Sequence, residues 1–233
     1  SPITLGFDPH TLPQSIKVEA LRGVEAVFLN LRSLRSPPGF SDGFGEDLHR
    51  KFVKHLEAAG IPARALDKHG FDHGVWAPLK LIYPDADIPV VALSVDPTRG
   101  PDHHYRLGQA LAGLGREGVL VIGSGSFTHN LRAAFPALRA GQRHLDVPEW
   151  VSGFTDWMDS RLAEGEVGAL LDYRAQAPYA AENHPTDEHL LPLYVAMGAA
   201  GERFTATRMH DSSDFGVLSM AMWRFDPAPA LAA

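Results

Sequence analysis

Residues 117–132 read EGVLVIGSGSFTHNLR, and this stretch decides the fold class. Gly118-Val119-Leu120-Val121-Ile122-Gly123 is apolar without alternation, the pattern of a central strand covered on both faces. Gly123-Ser124-Gly125-Ser126 supplies a turn, and a helix start follows. Strand, small-residue turn and helix, in that order, is how open α/β sheets present ligand-binding groups beyond the carboxyl ends of their strands. His129 falls there, one turn beyond the loop and facing the crevice. The turn is not a phosphate cradle of known type, because neither G-x-G-x-x-G nor the P-loop pattern occurs. G-x-S-x-G is absent too, so a serine-hydrolase elbow has little support.

Similar segments extend in both directions. Val24–Leu29 and Ile88–Val95 read as strands, the second introduced by the turn residues Pro84-Asp85-Ala86-Asp87. Ile61–Leu66 reads as a short strand and Phe215–Trp223 as a final one. Asp47–Ala59 reads as a helix, with Phe52, Val53 and Leu56 at helical spacing and Gly60 as its stop. Further helices are expected over Asp102–Leu114, Pro148–Leu171 and Thr186–Ala199. The stripe Trp150, Phe154, Trp157, Met158 and Leu162 reads as core. Strands alternating with helices predict a single α/β domain over residues 1–233, a central mixed, mostly parallel sheet flanked by helices, with a cleft at one end of the sheet.

Composition narrows the function. The 233 residues hold 21 Lys and Arg against 28 Asp and Glu, a net charge of −7, which argues against a nucleic-acid or anionic-membrane surface. No apolar run approaches the roughly 18 residues of a membrane span, and no charged-then-apolar leader opens the chain. Cysteine is absent, which excludes disulfides, thiolate metal sites and cysteine nucleophiles and is compatible with the reducing cytoplasm, the expected compartment. The twelve His are conspicuous, and any metal would have to be held by nitrogen and oxygen.

Besides the His129 segment, two stretches could carry chemistry. Gly70-Phe71-Asp72-His73-Gly74 places a His before Gly at a loop-to-helix junction, exposed to a ligand or simply bonded to Asp72. In Asn183-His184-Pro185-Thr186-Asp187-Glu188-His189, Thr186 is a candidate N-cap with His189 in the first helical turn. His184 and His189 are five apart, and H-E-x-x-H does not occur. The other histidines (His10, His49, His55, His69, His103, His104, His144 and His210) show no persuasive arrangement and read as solvated surface. The acids, Asp47, Glu57 and Asp67 among them, form no glycosidase-type couple.

Four stretches together resemble the LigB-type class III extradiol dioxygenases, in the DOPA 4,5-dioxygenase-like branch. They are FDHGVWAPLKLIYPDADIPVVALSV (71–95), EGVLVIGSGSFTHNLR (117–132), HPTDEHLLPLYVAMGAAG (184–201) and FGVLSMAMWRF (215–225). The resemblance implies an enzyme that inserts O₂ into a catecholic ring beside the diol, using non-heme Fe(II) with zinc as the other candidate ion. It implies His189 as a metal ligand, His129 and His73 as catalytic residues, and Ser126, Thr128 and His184 as substrate-binding residues. The expected partners are a small catechol and O₂, with a homodimer as a reasonable prior.

The family's other two metal-binding His, in H-G-S-P and S-A-H-W segments, have no counterpart here. Ser1-Pro2 is similar to the S-P of the first. Leu29-Asn30 is similar to a join where the second should lie, with Ser36-Pro37-Pro38-Gly39 resuming the pattern. Either the residues belong to a longer chain, which is the expectation, or the chain lacks those ligands. Two other classes stay open: a LigB-like binding protein without oxygenase activity, as Memo-type relatives are, and a zinc hydrolase built on His73, His129 and His189.

Overall fold

The computed structural model describes residues 3–6, 25–30, 46–65, 71–85 and 88–229. Readings that fall on Ser1-Pro2, His10, residues 36–39, Leu66, Asp67 and His69, or on the His49 side chain, lie outside them.

The strand over Val119–Gly125 (β4) is the middle of the fold. On one edge it pairs in parallel with Glu25–Asn30 (β2), which pairs in parallel with Val90–Ser94 (β3). On its other edge lies Ile3–Gly6 (β1), also parallel, in the register Ile3↔Ile122 to Gly6↔Gly125. Antiparallel Met222–Pro227 (β8) and Phe204–His210 (β5) complete a six-stranded mixed sheet, β3-β2-β4-β1-β8-β5. The four parallel strands therefore end on one side, at Gly6, Asn30, Ser94 and Gly125.

The two-residue period of β4 explains why its sequence is apolar throughout. Leu120 and Ile122 pack against Val75, Leu79 and Ile82 of the helix His73–Ile82 (α2). Val119 and Val121 point the other way, toward Phe52 and Leu56 of Glu46–Ala58 (α1) and Leu107 and Leu111 of Gly100–Leu111 (α3). On that second face lies Leu191–Ala199 (α9), all nine of whose residues are buried. It meets α3 at a crossing only small residues permit. A Cβ on Gly108 would come within 3.0 Å of the Val195 carbonyl, and one on Gly198 within 3.0 Å of the Tyr105 carbonyl.

Beyond α9 the core continues into Glu149–Glu164 (α5), preceded in the chain by Leu131–Ala140 (α4). Phe154, Met158 and Leu162 are fully buried there, so the aromatic stripe is core, with Trp150 and Trp157 at its margin. The single helix expected over 148–171 is broken. Gly165 at φ 69 closes α5, and a five-residue turn of helix, Val167–Leu171 (α6), follows. Two more short helices, Tyr173–Gln176 (α7) and Ala180–Asn183 (α8), lead to the next loop.

Other expectations need correction. Residues 61–65 form no strand. The 102–114 helix starts at Gly100, ends at Leu111 and is followed by the 3₁₀ turn Leu114–Glu117. The strand expected from Phe215 begins only at Met222, because Phe215 and Gly216 both adopt positive φ and turn the chain into the hairpin Ser213–Asp214 (β6) and Leu218–Ser219 (β7). Strands β1 and β5 were not read from the sequence. His104, expected on a solvated face, is completely buried. Its Nδ1–H donates to the Gly100 carbonyl at 2.6 Å, and its Nε2 accepts the Asp96 amide at 3.0 Å, pinning the β3–α3 loop. No helix among the described residues is long and apolar enough to cross a membrane.

Candidate active site

Two loops meet beyond the carboxyl end of β4, and the backbone laces them together. The Ser126 amide donates to the His189 carbonyl at 2.8 Å, and the His129 amide to the Asn183 carbonyl at 2.9 Å. Gly125 makes this approach feasible, since a Cβ there would come within 3.0 Å of the His189 carbonyl oxygen. Gly123-Ser124-Gly125, expected as a turn, are instead the last residues of β4, and the two glycines serve packing, Gly123 against the Pro192 carbonyl of α9 and Gly125 against the His189 carbonyl, rather than a phosphate cradle.

His189 does not occupy a first helical turn as expected. Helix α9 starts at Leu191, with Pro192 in its first turn. Proline suits that position because it lacks the amide hydrogen that the helix leaves unpaired there, and it disfavours helix immediately before it. The Thr186 hydroxyl bonds the Glu188 carboxylate at 2.6 Å instead of capping a helix. The Asp187 carbonyl accepts the amides of Leu190 and Leu191, and its carboxylate accepts the Tyr173 hydroxyl at 2.7 Å and pairs with Arg174. These anchors hold His189 on a short turn against α9.

The result is a stack of two imidazoles. The His129 and His189 rings lie 3.4 Å apart between centroids and 16° from parallel. Burial, then the neighbouring His189, pushes His129 down to about 4, with Glu188 opposing. It is thus neutral at pH 7. His189 is also lowered, first by burial, with Glu188 and Asp72 opposing and His73 reinforcing. Burial raises Glu188, but the Thr186 hydroxyl, its own backbone amide and the two imidazoles outweigh it and hold the carboxyl below its ordinary value.

His73 opens α2 beside this pair, within electrostatic reach of His189. Asp72 caps that helix, accepting the Gly74 amide at 2.8 Å, and lies 2.8 Å from His73 Nδ1 through the same oxygen. That contact directs Nδ1–H at the carboxylate and leaves Nε2 of a largely exposed ring free. Asp72 Oδ2 and His189 Nδ1 are buried without hydrogen-bond partners.

The three residues expected to bind substrate are placed differently. Ser126 is half-buried, its hydroxyl donating to the Thr128 carbonyl at 2.7 Å. Thr128 is fully buried; its hydroxyl donates to the Val217 carbonyl and accepts the Ser219 amide, fastening the β6–β7 hairpin. His184 is fully buried too, donating from Nε2 to the Phe127 carbonyl at 2.9 Å and packing on Phe154 and Tyr173. The Thr128 hydroxyl and the His184 Nε2 are thus engaged within the protein, while His184 Nδ1 is buried without a hydrogen-bond partner.

Two predictions follow locally. Thr128→Val strands a buried carbonyl and a buried amide together, so denaturant unfolding should show a loss of about 2–4 kcal/mol with ligand affinity unchanged. Burial pushes His184 down to about 4 from 6.5. The unfolded chain takes up more protons between those values. The His184 contribution to stability is therefore complete above about pH 6.5 and is lost as pH falls toward 4, by on the order of a few kcal/mol. An NMR titration of the His184 ring with a midpoint near 6.5 would contradict this.

For metal, Nδ1 of His189, buried without a hydrogen-bond partner and 3.5 Å from a Glu188 carboxylate oxygen, is a suitable donor. Parallel rings 3.4 Å apart, however, direct their in-plane lone pairs along separate planes and cannot share an ion at the roughly 2.1 Å of a metal–imidazole bond. No group of three His, Asp or Glu among the described residues could hold a metal. The described donors therefore do not fit a three-ligand iron centre.

Residues 41–222 match the family model described as the catalytic LigB subunit of aromatic ring-opening dioxygenase. The chain belongs to the LigB family. Among LigB relatives, a 4,5-DOPA dioxygenase extradiol of Beta vulgaris is 45% identical over 180 residues, covering 77% of this chain and 65% of the relative. One from Portulaca grandiflora is 39% identical, covering 76% and 64%. One from Escherichia coli K12 is 33% identical over 208 residues, covering 81% and 73%. The chain thus spans a little under two thirds of the plant relatives. A crystal structure of an uncharacterised Escherichia coli K12 protein superposes with a TM-score of 0.76 at 27% identity, covering 95% of this chain and 98% of that one. Asp72, Asp187 and Glu188 escaped the sequence reading as site residues, although each neighbours a candidate His or lies two residues from one.

Proposed function

We propose that this LigB chain contributes the site of an extradiol dioxygenase acting on a small catechol. In such a reaction the carbon–carbon bond beside the diol breaks and both atoms of O₂ enter the product, so no external reductant is needed. The stacked His129–His189 pair at the carboxyl end of β4 is the observation that carries the reading. Neutral His129 accepts a proton from a catechol hydroxyl, and a bound catecholate would favour the resulting imidazolium. His73, directed by Asp72, presents Nε2 to the same cleft as the second proton-handling group. Ser126, on the same loop as His129, contributes a hydroxyl that now donates to the Thr128 carbonyl. Fe(II), with zinc as the alternative, is the ion the family implies, and His189 is the one described residue assigned to it.

The test is anaerobic loading of the protein with Fe(II), followed by catechol, DOPA or protocatechuate and then air. A yellow ring-fission product with one O₂ consumed per ring supports the proposal. An unchanged spectrum across all three would favour a LigB-like binding protein, the reading to which the incomplete donor set among the described residues points.

A further inference from the structure

We propose that the groove between the end of α1 and the side of α3 binds a small organic anion, with a carboxylate or phosphate head on an apolar body. The proposal is independent of the ring-opening reading. A cavity of about 430 Å³ lies there, a size typical of small-ligand sites. Its walls divide by chemistry. Ile61, Pro62 and Ala110 form an apolar side, whereas Arg99 and Arg106 supply positive charge around His103, whose imidazole is held below its ordinary value by burial and then by Arg99, and no carboxylate lines it.

Arg99 is the centre of the argument. Its guanidinium enters no close ion pair or side-chain hydrogen bond among the described residues, although after the Thr98 bonds it is one of the groups that hold the Asp96 carboxyl below its ordinary value, and the backbone that carries it is fixed. The Arg99 amide donates to the Asp96 carbonyl at 3.1 Å, and buried His104 ties Asp96 to Gly100 from below. A free cation on an anchored loop loses little entropy on binding. Arg99 also stands at the amino end of α3, where the helix dipole adds positive potential. The nearby acids do not cancel this. Asp96 is turned to the Thr98 amide and hydroxyl, at 3.0 and 2.6 Å. Asp102 pairs with Arg106 at 2.7 Å, but both side chains are about two-thirds exposed, and such a pair yields readily to a better anion. A planar guanidinium lining the same cavity as an apolar wall suits a carboxylate on a hydrophobic group better than a bare ion.

Calorimetry and amide chemical shifts on the full chain with benzoate, benzamide, acetate and inorganic phosphate test it. Benzoate should bind saturably, shifting Ile61, His103 and Ala110. Benzamide, which lacks the charge, and acetate, which lacks the body, should bind at least about tenfold more weakly. Arg99→Ala, and Gln109→Glu on the same wall, should each weaken benzoate about tenfold without shifting the melting temperature. Undiminished benzoate binding in either variant overturns the proposal, as do saturable shifts confined to the His129 and His189 segments. Phosphate binding as tightly as benzoate overturns the assignment of an apolar body.

Discussion

A His129→Phe variant should lose ring cleavage by about 10²–10⁴-fold, the range that a positioned proton-transfer group contributes. The fold should survive. Phenylalanine can occupy the same plane against His189, and the bond from the residue 129 amide to the Asn183 carbonyl does not involve the side chain. Far-UV circular dichroism and the melting temperature should therefore match the parent. Iron content after anaerobic loading should match too. Loss of iron together with activity would make His129 a ligand instead of a base, and retention of both would remove it from the chemistry.

A Gly125→Ala variant should be damaged in a different way. The added methyl would overlap the His189 carbonyl, a backbone atom that cannot rotate aside, and Pro192 closes the other flank. The loop must move, at a cost of about 1–3 kcal/mol for overpacking and more if the Ser126–His189 bond breaks. Activity should fall by orders of magnitude, because a displacement of about 1 Å in a catalytic group can cost about 10²-fold. Gly168→Ala, inside α6 with open space around it, is the control and should leave turnover unchanged and stability equal or slightly raised. Equal activity in both variants would show that His189 is not held by this contact.

These expectations rest on parts of the molecule that differ in how legibly the sequence states them. Strand β4 was plain because both its faces are buried, leaving an unbroken apolar run. The α2 junction was plain because Asp72 and Gly74 are the residues a capped start requires. Strand β5 was missed for the opposite reason. It lies at the sheet edge, so its side chains are half-exposed, and Thr205, Thr207 and Arg208 blur the alternation. The loop around His189 reads as helix in sequence because Thr186 looks like a cap, whereas its hydroxyl bonds the Glu188 carboxylate. His104 resembled a surface histidine, and only the tertiary fold brings its ring under the Asp96 amide.

The candidate site was half legible. Family resemblance gave His73, His129 and His189, and the fold brings the last two into contact. Nothing in the spacing indicated that Thr128 and His184 turn inward, since their bonding partners, Val217, Ser219 and Phe127, lie 89, 91 and 57 residues away in sequence. Long-range pairings of that kind leave no local periodic trace.

The total burial of α9 has an experimental use. With all nine residues enclosed and its backbone pressed between β4 and α3, its amide hydrogens can meet solvent only when the whole domain opens. Deuterium uptake along residues 191–199 is thus an internal clock for global unfolding, and uptake at 184–190 would time the separate release of the loop that precedes it.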